Sequence, residues 1–407
     1  MRICYIADAR SQHTRRFLLN LTAIDPEHDL IVASTRYYPE PFIGSVPVKN
    51  LTSYPGITSS SHHSYASLLG HIYRSVTNTQ VLDVLSGLAY YVDYLRLVSR
   101  VRSFVQEFEP DILHGMRLQL EGALADATKH SPLVLSVWGN DLVLYAQRNV
   151  VLRQIIKRAL MHTNLLITDN RRDSYLALQF GLDSGVTRHV MPAQGGVDFS
   201  VFHRADRRQA KAKLGLNPDN PLIISLRGFM ANRIKTETLV RSIPRIREES
   251  PGAFFMVHGR AKSAGATKLA KLAQSLGVDH MVRFEDLPSS IVPQYLQAAD
   301  VMVSVTTFDG VPMSMLEAMA CGCIPVMSNI DSIREWIVHE QNGFLFDPYD
   351  AESLAYSVLL ALKCDTASIT TNNEQLVRQR ADPVSNLSHM LGMYRELIAH
   401  GDQERVP

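Results

Sequence analysis

Short, largely apolar runs separated by longer stretches of helical period recur along the whole chain, and this alternation constrains the fold more than any other feature. Residues 3–7, 30–33, 112–113, 133–137 and 165–168 read as strands buried on both faces, and Phe17, Leu18, Leu21 and Ile24 carry the helical period between two of them. After Pro192 the series starts again, with strand candidates at 222–226, 254–257, 282–284, 301–305 and 324–326. Strands apolar on both faces need helical layers above and below, which points to parallel sheets in an α/β protein. Two such series, joined near 192–202, predict two Rossmann-like domains facing each other across a cleft. The boundaries read as 1–195 and 196–380. A mostly polar stretch at 365–382 follows the last helix of the second series. A C-terminal segment, 381–407, then resumes helical period at Leu387, Met390, Leu391, Tyr394 and Leu397, as expected of a helix crossing back onto the first domain.

At 407 residues the chain is long enough for two cores. With 41 Lys and Arg against 40 Asp and Glu, nothing calls for a nucleic-acid partner, and an anionic ligand must be held by local charge. Cys4, Cys321, Cys323 and Cys364 make no disulfide framework. Cys321-Gly322-Cys323 is too tight for a zinc pair without further ligands, so small buried thiols in a reducing compartment are the expectation. The first eight residues turn polar too early for a signal peptide, and no apolar run approaches the ~20 residues of a membrane span. A cytoplasmic protein is expected, with peripheral membrane contact left open. Residues 65–104 read as one or two amphipathic helices with a wide, tyrosine-rich apolar face. Burial against the first sheet, an acceptor lining and a membrane-facing surface are the readings for that face. His62-His63 has no companions at metal spacing and reads as loop.

The most specific stretch is 307–326, Thr-Phe-Asp-Gly-Val-Pro-Met-Ser-Met-Leu-Glu-Ala-Met-Ala-Cys-Gly-Cys-Ile-Pro-Val. A strand ends near Val305, Asp309-Gly310 forms a turn, and Pro312 suits the first position of a helix, where its missing N–H costs nothing. Gly310 bares the backbone to a ligand, and the free N–H groups of the helix start suit a phosphate. Asp309 and Glu317 frame that anion site from the turn and from inside the helix.

This segment resembles the signature of the retaining glycosyltransferases of family four, which adopt the GT-B fold: an acid, seven residues, Glu, then Ala-Met-Ala-x-Gly-x-Pro-Val. The continuation to Gln341-Asn342-Gly343-Phe344-Leu345-Phe346 matches as well. The family's first acid is normally Glu; here it is Asp309. The resemblance implies that Glu317 takes the donor's ribose hydroxyls and that Asp309 contacts the transferred sugar. It gives the diphosphate to the backbone at Gly310, Val311, Pro312 and Met313. It also implies basic residues in the first loop of the second domain, to stabilise charge that builds on the leaving diphosphate. Arg227 matches the family's arginine, and Arg233 and Lys235 both stand for its partner cation, because this loop is longer than usual.

In the first half, Asp111-Ile112-Leu113-His114 ending a strand and Ser136-Val137-Trp138-Gly139-Asn140-Asp141 after the next resemble further family segments. His114 then contacts sugar or acceptor, or serves the structure. Asp141 orients the acceptor hydroxyl or caps the next helix. His13 resembles an acceptor-side residue, and Gly195-Gly196-Val197-Asp198 resembles the family's linker, its glycines suited to a hinge. The implied activity is retaining transfer of a hexosyl unit from a nucleotide-sugar donor, UDP-linked ahead of GDP-linked. The acceptor is a saccharide, lipid-linked or small molecule. The resemblance implies no divalent metal and no other cofactor. The rival readings are a sugar-nucleotide epimerase and a non-catalytic relative that binds nucleotide sugar or a partner. An NAD enzyme is disfavoured, because no Gly-x-Gly-x-x-Gly follows the first strand.

Overall fold

The computed structural model describes residues 1–52, 79–139, 141–147, 149–229 and 233–403. The chain divides into two compact units. Met1–Gly195 together with the C-terminal stretch from Pro383 forms one, and Gly196–Asp382 the other.

The first unit is built on eight strands: β1 (Arg2–Ala7), β2 (Asp29–Ser34), β3 (Phe42–Ile43), β4 (Val46–Asn50), β5 (Ile112–Met116), β6 (Leu133–Val137), β7 (Leu165–Thr168) and β8 (Thr187–Val190). Their order is β3-β4-β2-β1-β5-β6-β7-β8, parallel throughout except between β3 and β4. Because β1 lies between β2 and β5, the winding reverses there, and a crevice is expected beyond the carboxyl ends of these strands. Alternate residues go to opposite faces. Cys4, Ile6 and Leu113 join Leu97, Val101 and Phe104 of the long helix Thr79–Phe108 and Leu152 and Ile156 of the helix Val150–Met161. Ile3, Tyr5 and Ile112 join Phe17, Leu18 and Leu21 of the helix Gln12–Ile24 on the other face.

The helix Pro383–Gln403 belongs to that second layer. It buries Leu387, Met390, Leu391 and Tyr394, each large apolar side chain contributing roughly 1.5–3 kcal/mol, so the layer is incomplete without it. The wide apolar face of Thr79–Phe108 is only partly buried. Leu97, Val101 and Phe104 are in the core, whereas Leu88, Tyr91, Val92 and Leu95 are exposed. Residues 53–78, including His62-His63 and the start of that predicted amphipathic stretch, lie outside the described residues.

The second unit carries β9 (Leu222–Ser225), β10 (Phe254–His258), β11 (Val282–Glu285), β12 (Val301–Ser304), β13 (Ile324–Ser328) and β14 (Phe344–Phe346), in the order β11-β10-β9-β12-β13-β14 and all parallel. Winding reverses at β9, between β10 and β12. The polar stretch at 365–382 contains the helix Thr366–Arg380. Its buried stripe is narrow and includes Thr370 and Asn373 beside Ile369 and Val377, so no apolar period betrays it.

Two glycines stand where the chain passes from the first unit to the second. Gly196 has φ 142°, and a Cβ there would lie 2.0 Å from the Ala381 carbonyl oxygen, which accepts from the Val197 N–H at 2.9 Å. Gly195 has φ 82° and presses on Leu387. Both positions therefore require glycine.

Candidate functional site

In the second unit, the loops after β9 and β12 meet at the switch point. The segment 233–235 pairs with the chain beyond β12: the Lys235 N–H donates to Val305 O at 2.9 Å, the Thr307 N–H to Arg233 O at 2.9 Å, and Ile234 bridges Thr306 antiparallel. This clips the basic loop alongside the acidic turn. Arg227, just past β9, is ion-paired with Asp309. Burial, with the charge of Arg233 beside it, presses the Arg227 guanidinium down to about 10, which leaves it a cation at neutral pH. Two guanidinium groups in each other's field favour an anionic ligand.

Asp309 is held from its own backbone: Ser332 donates its hydroxyl to the Asp309 carbonyl at 2.8 Å, and Asp309 Oδ1 takes the Gly310 N–H at 3.0 Å. The helix that follows is Met313–Ala320. Pro312 is the residue before it (φ −69°, ψ 118°) and not its first turn, a correction to the expected position. Its carbonyl accepts from Met315 at 3.0 Å, so the ring closes the loop and the helix opens at Met313. At that opening the Ser314 hydroxyl is buried with no hydrogen-bond partner among the described residues. Glu317, one turn further in, is 8% exposed, as is Asp309. The structure thus brings Arg227, Arg233, Asp309 and the start of the Met313–Ala320 helix together, with Glu317 one turn inside that helix. Of the two candidates for the partner cation, Arg233 is the one in the field of Arg227, while Lys235 lies over the Tyr349 ring, 5.5 Å from its centroid. Ser314 was missed by sequence reasoning. A hydroxyl in the first turn of a phosphate-suited helix was the signal available for it.

Two first-unit expectations are corrected. His114 does not end a strand; β5 continues to Met116, so its side chain is swallowed by the layer beneath Pro383–Gln403. It is fully buried, with Nε2 2.7 Å from Ser136 Oγ and Nδ1 2.7 Å from Tyr394 Oη, and both ring nitrogens are spent on the fold. Burial lowers its pKa to about 3, so it is neutral. Asp141 is also fully buried. It caps no α-helix: it opens a π-helical turn, Asp141–Ala146, and collects Arg117 at 2.8 Å, the Leu118 N–H at 3.1 Å and the Gln119 amide at 2.9 Å. With its lone pairs taken, it ties down the loop after β5. His13 remains exposed on the first turn of Gln12–Ile24, 2.5 Å from Gln194 Nε2 and edge-tilted to Trp138.

Cys4, Cys321 and Cys323 are buried and Cys364 half-buried, none in a disulfide. Burial raises the Cys4 and Cys323 thiols to about 12. Among the described residues no cluster of three or more His, Cys, Asp or Glu could hold a metal ion, and no helix is long and apolar enough to cross a membrane.

Residues 206–378 match the family described as glycosyl transferases group 1, and residues 71–170 match the one described as glycosyl transferase 4-like. Both family models describe glycosyltransferase domains. Together with the fold they support a transferase of the family-four type. A putative teichuronic acid biosynthesis glycosyltransferase, TuaC of Bacillus subtilis, is 23% identical over 318 residues, covering 73% of this chain and 77% of that one. A D-inositol 3-phosphate glycosyltransferase of Catenulispora acidiphila is 25% identical over 201 residues, 48% of this chain, which spans only 46% of that relative's length. Among solved structures, sucrose-phosphate synthase of Thermosynechococcus elongatus superposes with a TM-score of 0.77 at 17% identity, covering 98% of this chain and 100% of that one. Anabaena Alr3699/HepE, solved with UDP, gives 0.74 at 17% identity, with 97% and 100% covered. The chain therefore has the GT-B glycosyltransferase fold.

Proposed function

We propose that the protein is a retaining glycosyltransferase that moves a hexosyl unit from a nucleoside-diphosphate sugar to a hydroxyl of a saccharide, lipid-linked or small-molecule acceptor. The observation that carries the reading is the meeting, at the switch point of the second unit, of two guanidinium groups with a helix start whose Ser314 hydroxyl has no hydrogen-bond partner among the described residues. In this reading Arg227 and Arg233 hold the diphosphate with the N–H groups of Val311, Met313 and Ser314, Glu317 takes the ribose hydroxyls, and Asp309 meets the transferred sugar. As the glycosidic bond breaks, negative charge moves onto the diphosphate. Fixed cations stabilise that state more than the ground state, with no charge contributed by a metal. Lys235 is then a neighbour of the site. UDP is the base to test first, since the Anabaena protein of the same fold was solved with it.

The domain roles belong to the same proposal: acceptor binding in the first unit, donor binding in the second, in the cytoplasm or at the inner membrane face. The test is a transfer assay with UDP- and GDP-hexoses in the presence of EDTA, reading the anomeric configuration of the first-formed product by proton NMR. Transfer with retention supports the reading. Inversion, or activity abolished by EDTA and restored by a divalent metal, refutes that part of it. An epimerase would release free sugar without any acceptor.

A further inference from the structure

Arg227 and Asp309 are ion-paired to each other, yet the transfer reading sends them to different parts of one ligand, the cation to the diphosphate and the carboxylate to the sugar. Both are largely withdrawn from water, their side chains 20% and 11% exposed. The pair uses only part of the guanidinium. Its Nη2 meets Asp309, whereas Nε is buried with no hydrogen-bond partner among the described residues. An anion arriving at Arg227 therefore finds an unused donor and a resident carboxylate to displace.

Asp309 is not a surface acid that swings clear. Its carbonyl accepts the Ser332 hydroxyl at 2.8 Å, and its Oδ1 accepts the Gly310 N–H at 3.0 Å. One residue earlier, the Phe308 carbonyl accepts the Thr306 hydroxyl at 3.0 Å, and the Thr306 N–H donates to Ser328 Oγ at 2.9 Å. Ser328 and Ser332 are fully buried. The turn is pinned at two successive carbonyls, so its carboxylate stays in the site when Arg227 is taken from it. A buried carboxylate that loses its cation is destabilised unless other donors replace it.

Whether donors arrive depends on the ligand. A bare nucleoside diphosphate takes Arg227 and brings Asp309 only further negative charge. A nucleoside-diphosphate sugar takes Arg227 in the same way and also brings Asp309 the hydroxyls of its sugar. We propose that Asp309, by competing for Arg227, makes this site select the sugar nucleotide over the bare nucleoside diphosphate and helps expel the diphosphate after transfer. This rests on the transfer reading above. In that reaction the bond from the anomeric carbon to the phosphate oxygen breaks, and its electron pair stays on the diphosphate. The acceptor oxygen bonds the anomeric carbon and gives its proton to the diphosphate. Asp309 has then lost the hydroxyls of the departing sugar, and it reclaims Arg227.

Calorimetric titration of the full chain without acceptor tests this, in the wild type beside Asp309→Asn, which keeps the side chain's size and removes its charge. The ligands are UDP with UDP-glucose, UDP-galactose and UDP-N-acetylglucosamine, and GDP with GDP-mannose. The wild type is expected to bind at least one sugar nucleotide more tightly than its own bare diphosphate. In Asp309→Asn the dissociation constant of that bare diphosphate should fall roughly tenfold or more, while that of the sugar nucleotide does not fall. A wild type that binds the bare diphosphate as tightly as every sugar nucleotide of its base overturns the proposal without any variant. So does a variant that tightens on both ligands equally, since Asp309 is then a general repulsive charge, or one that tightens on neither. Each of these results leaves the donor site standing. Binding of none of the six ligands by the wild type would sink the donor reading and this proposal with it.

Discussion

Replacing Asp141 by alanine separates its two readings, acceptor contact and internal brace. In the structure the carboxylate is fully buried and collects five donors: two from Arg117 (2.8 and 3.3 Å), the Leu118 N–H (3.1 Å), the Gln119 amide (2.9 Å) and the Trp138 N–H (3.5 Å). Removing one partner of a buried pair costs roughly 3–5 kcal/mol, because the group left behind is uncompensated. The Arg117 side chain is 37% exposed and regains some water, which moves the expectation to the low end, about 3 kcal/mol. The backbone of Arg117, at φ 112°, would also lose the bond that helps hold it. For a unit of this size about 2–4 °C is lost per kcal/mol, so calorimetry should show the first unit melting about 6–12 °C lower. UDP binding by the second unit should be untouched. If Asp141→Ala melts within 2 °C of the wild type while the KM for acceptor rises, the brace account is wrong and direct acceptor contact returns.

Arg227→Ala should fold, as judged by circular dichroism, and lower turnover by roughly 10²–10³, the usual effect of removing one fixed donor to developing charge. His114 and His189, lowered to about 3 and about 4 by burial, bind fewer protons folded than unfolded between those values and about 6.5. Stability should therefore fall as the pH drops below about 6.5, by up to ~1.4 kcal/mol per unit for His114 and by less for the half-buried His189, and His114→Gln should flatten the slope measured by urea unfolding between pH 7 and 5. Gly196→Ala, with φ 142° and a Cβ meeting a carbonyl oxygen, should destabilise by more than about 2 kcal/mol in the same urea measurement.

The sheets were legible because their strands are mostly apolar, and β6 and β7 fall on the bounds read from the sequence. Strands that are half exposed or very short, such as β4 and β8, carry no such mark. The acidic turn and the helix after it could be read from Asp309 to Glu317, since composition at a strand-to-helix turn reflects local backbone needs. Which of Arg233 and Lys235 enters the field of Arg227 depends on how 233–235 pairs with 305–307, a long-range contact that spacing cannot give. His114 and Asp141 each left two readings open for one reason. Each is polar and sits near the end of an apolar run, and only the packing of Pro383–Gln403 and the strained Arg117 shows that their bonding capacity is already used.

The most direct test of the account is a calorimetric titration of UDP into the full chain with EDTA present, repeated for Arg227→Ala and Glu317→Gln. Saturable binding to the wild type, weakened roughly tenfold or more in each variant, is the predicted result. Binding unchanged in both variants, or none by the wild type with UDP or GDP, would contradict the claim that the switch point of the second unit holds the donor.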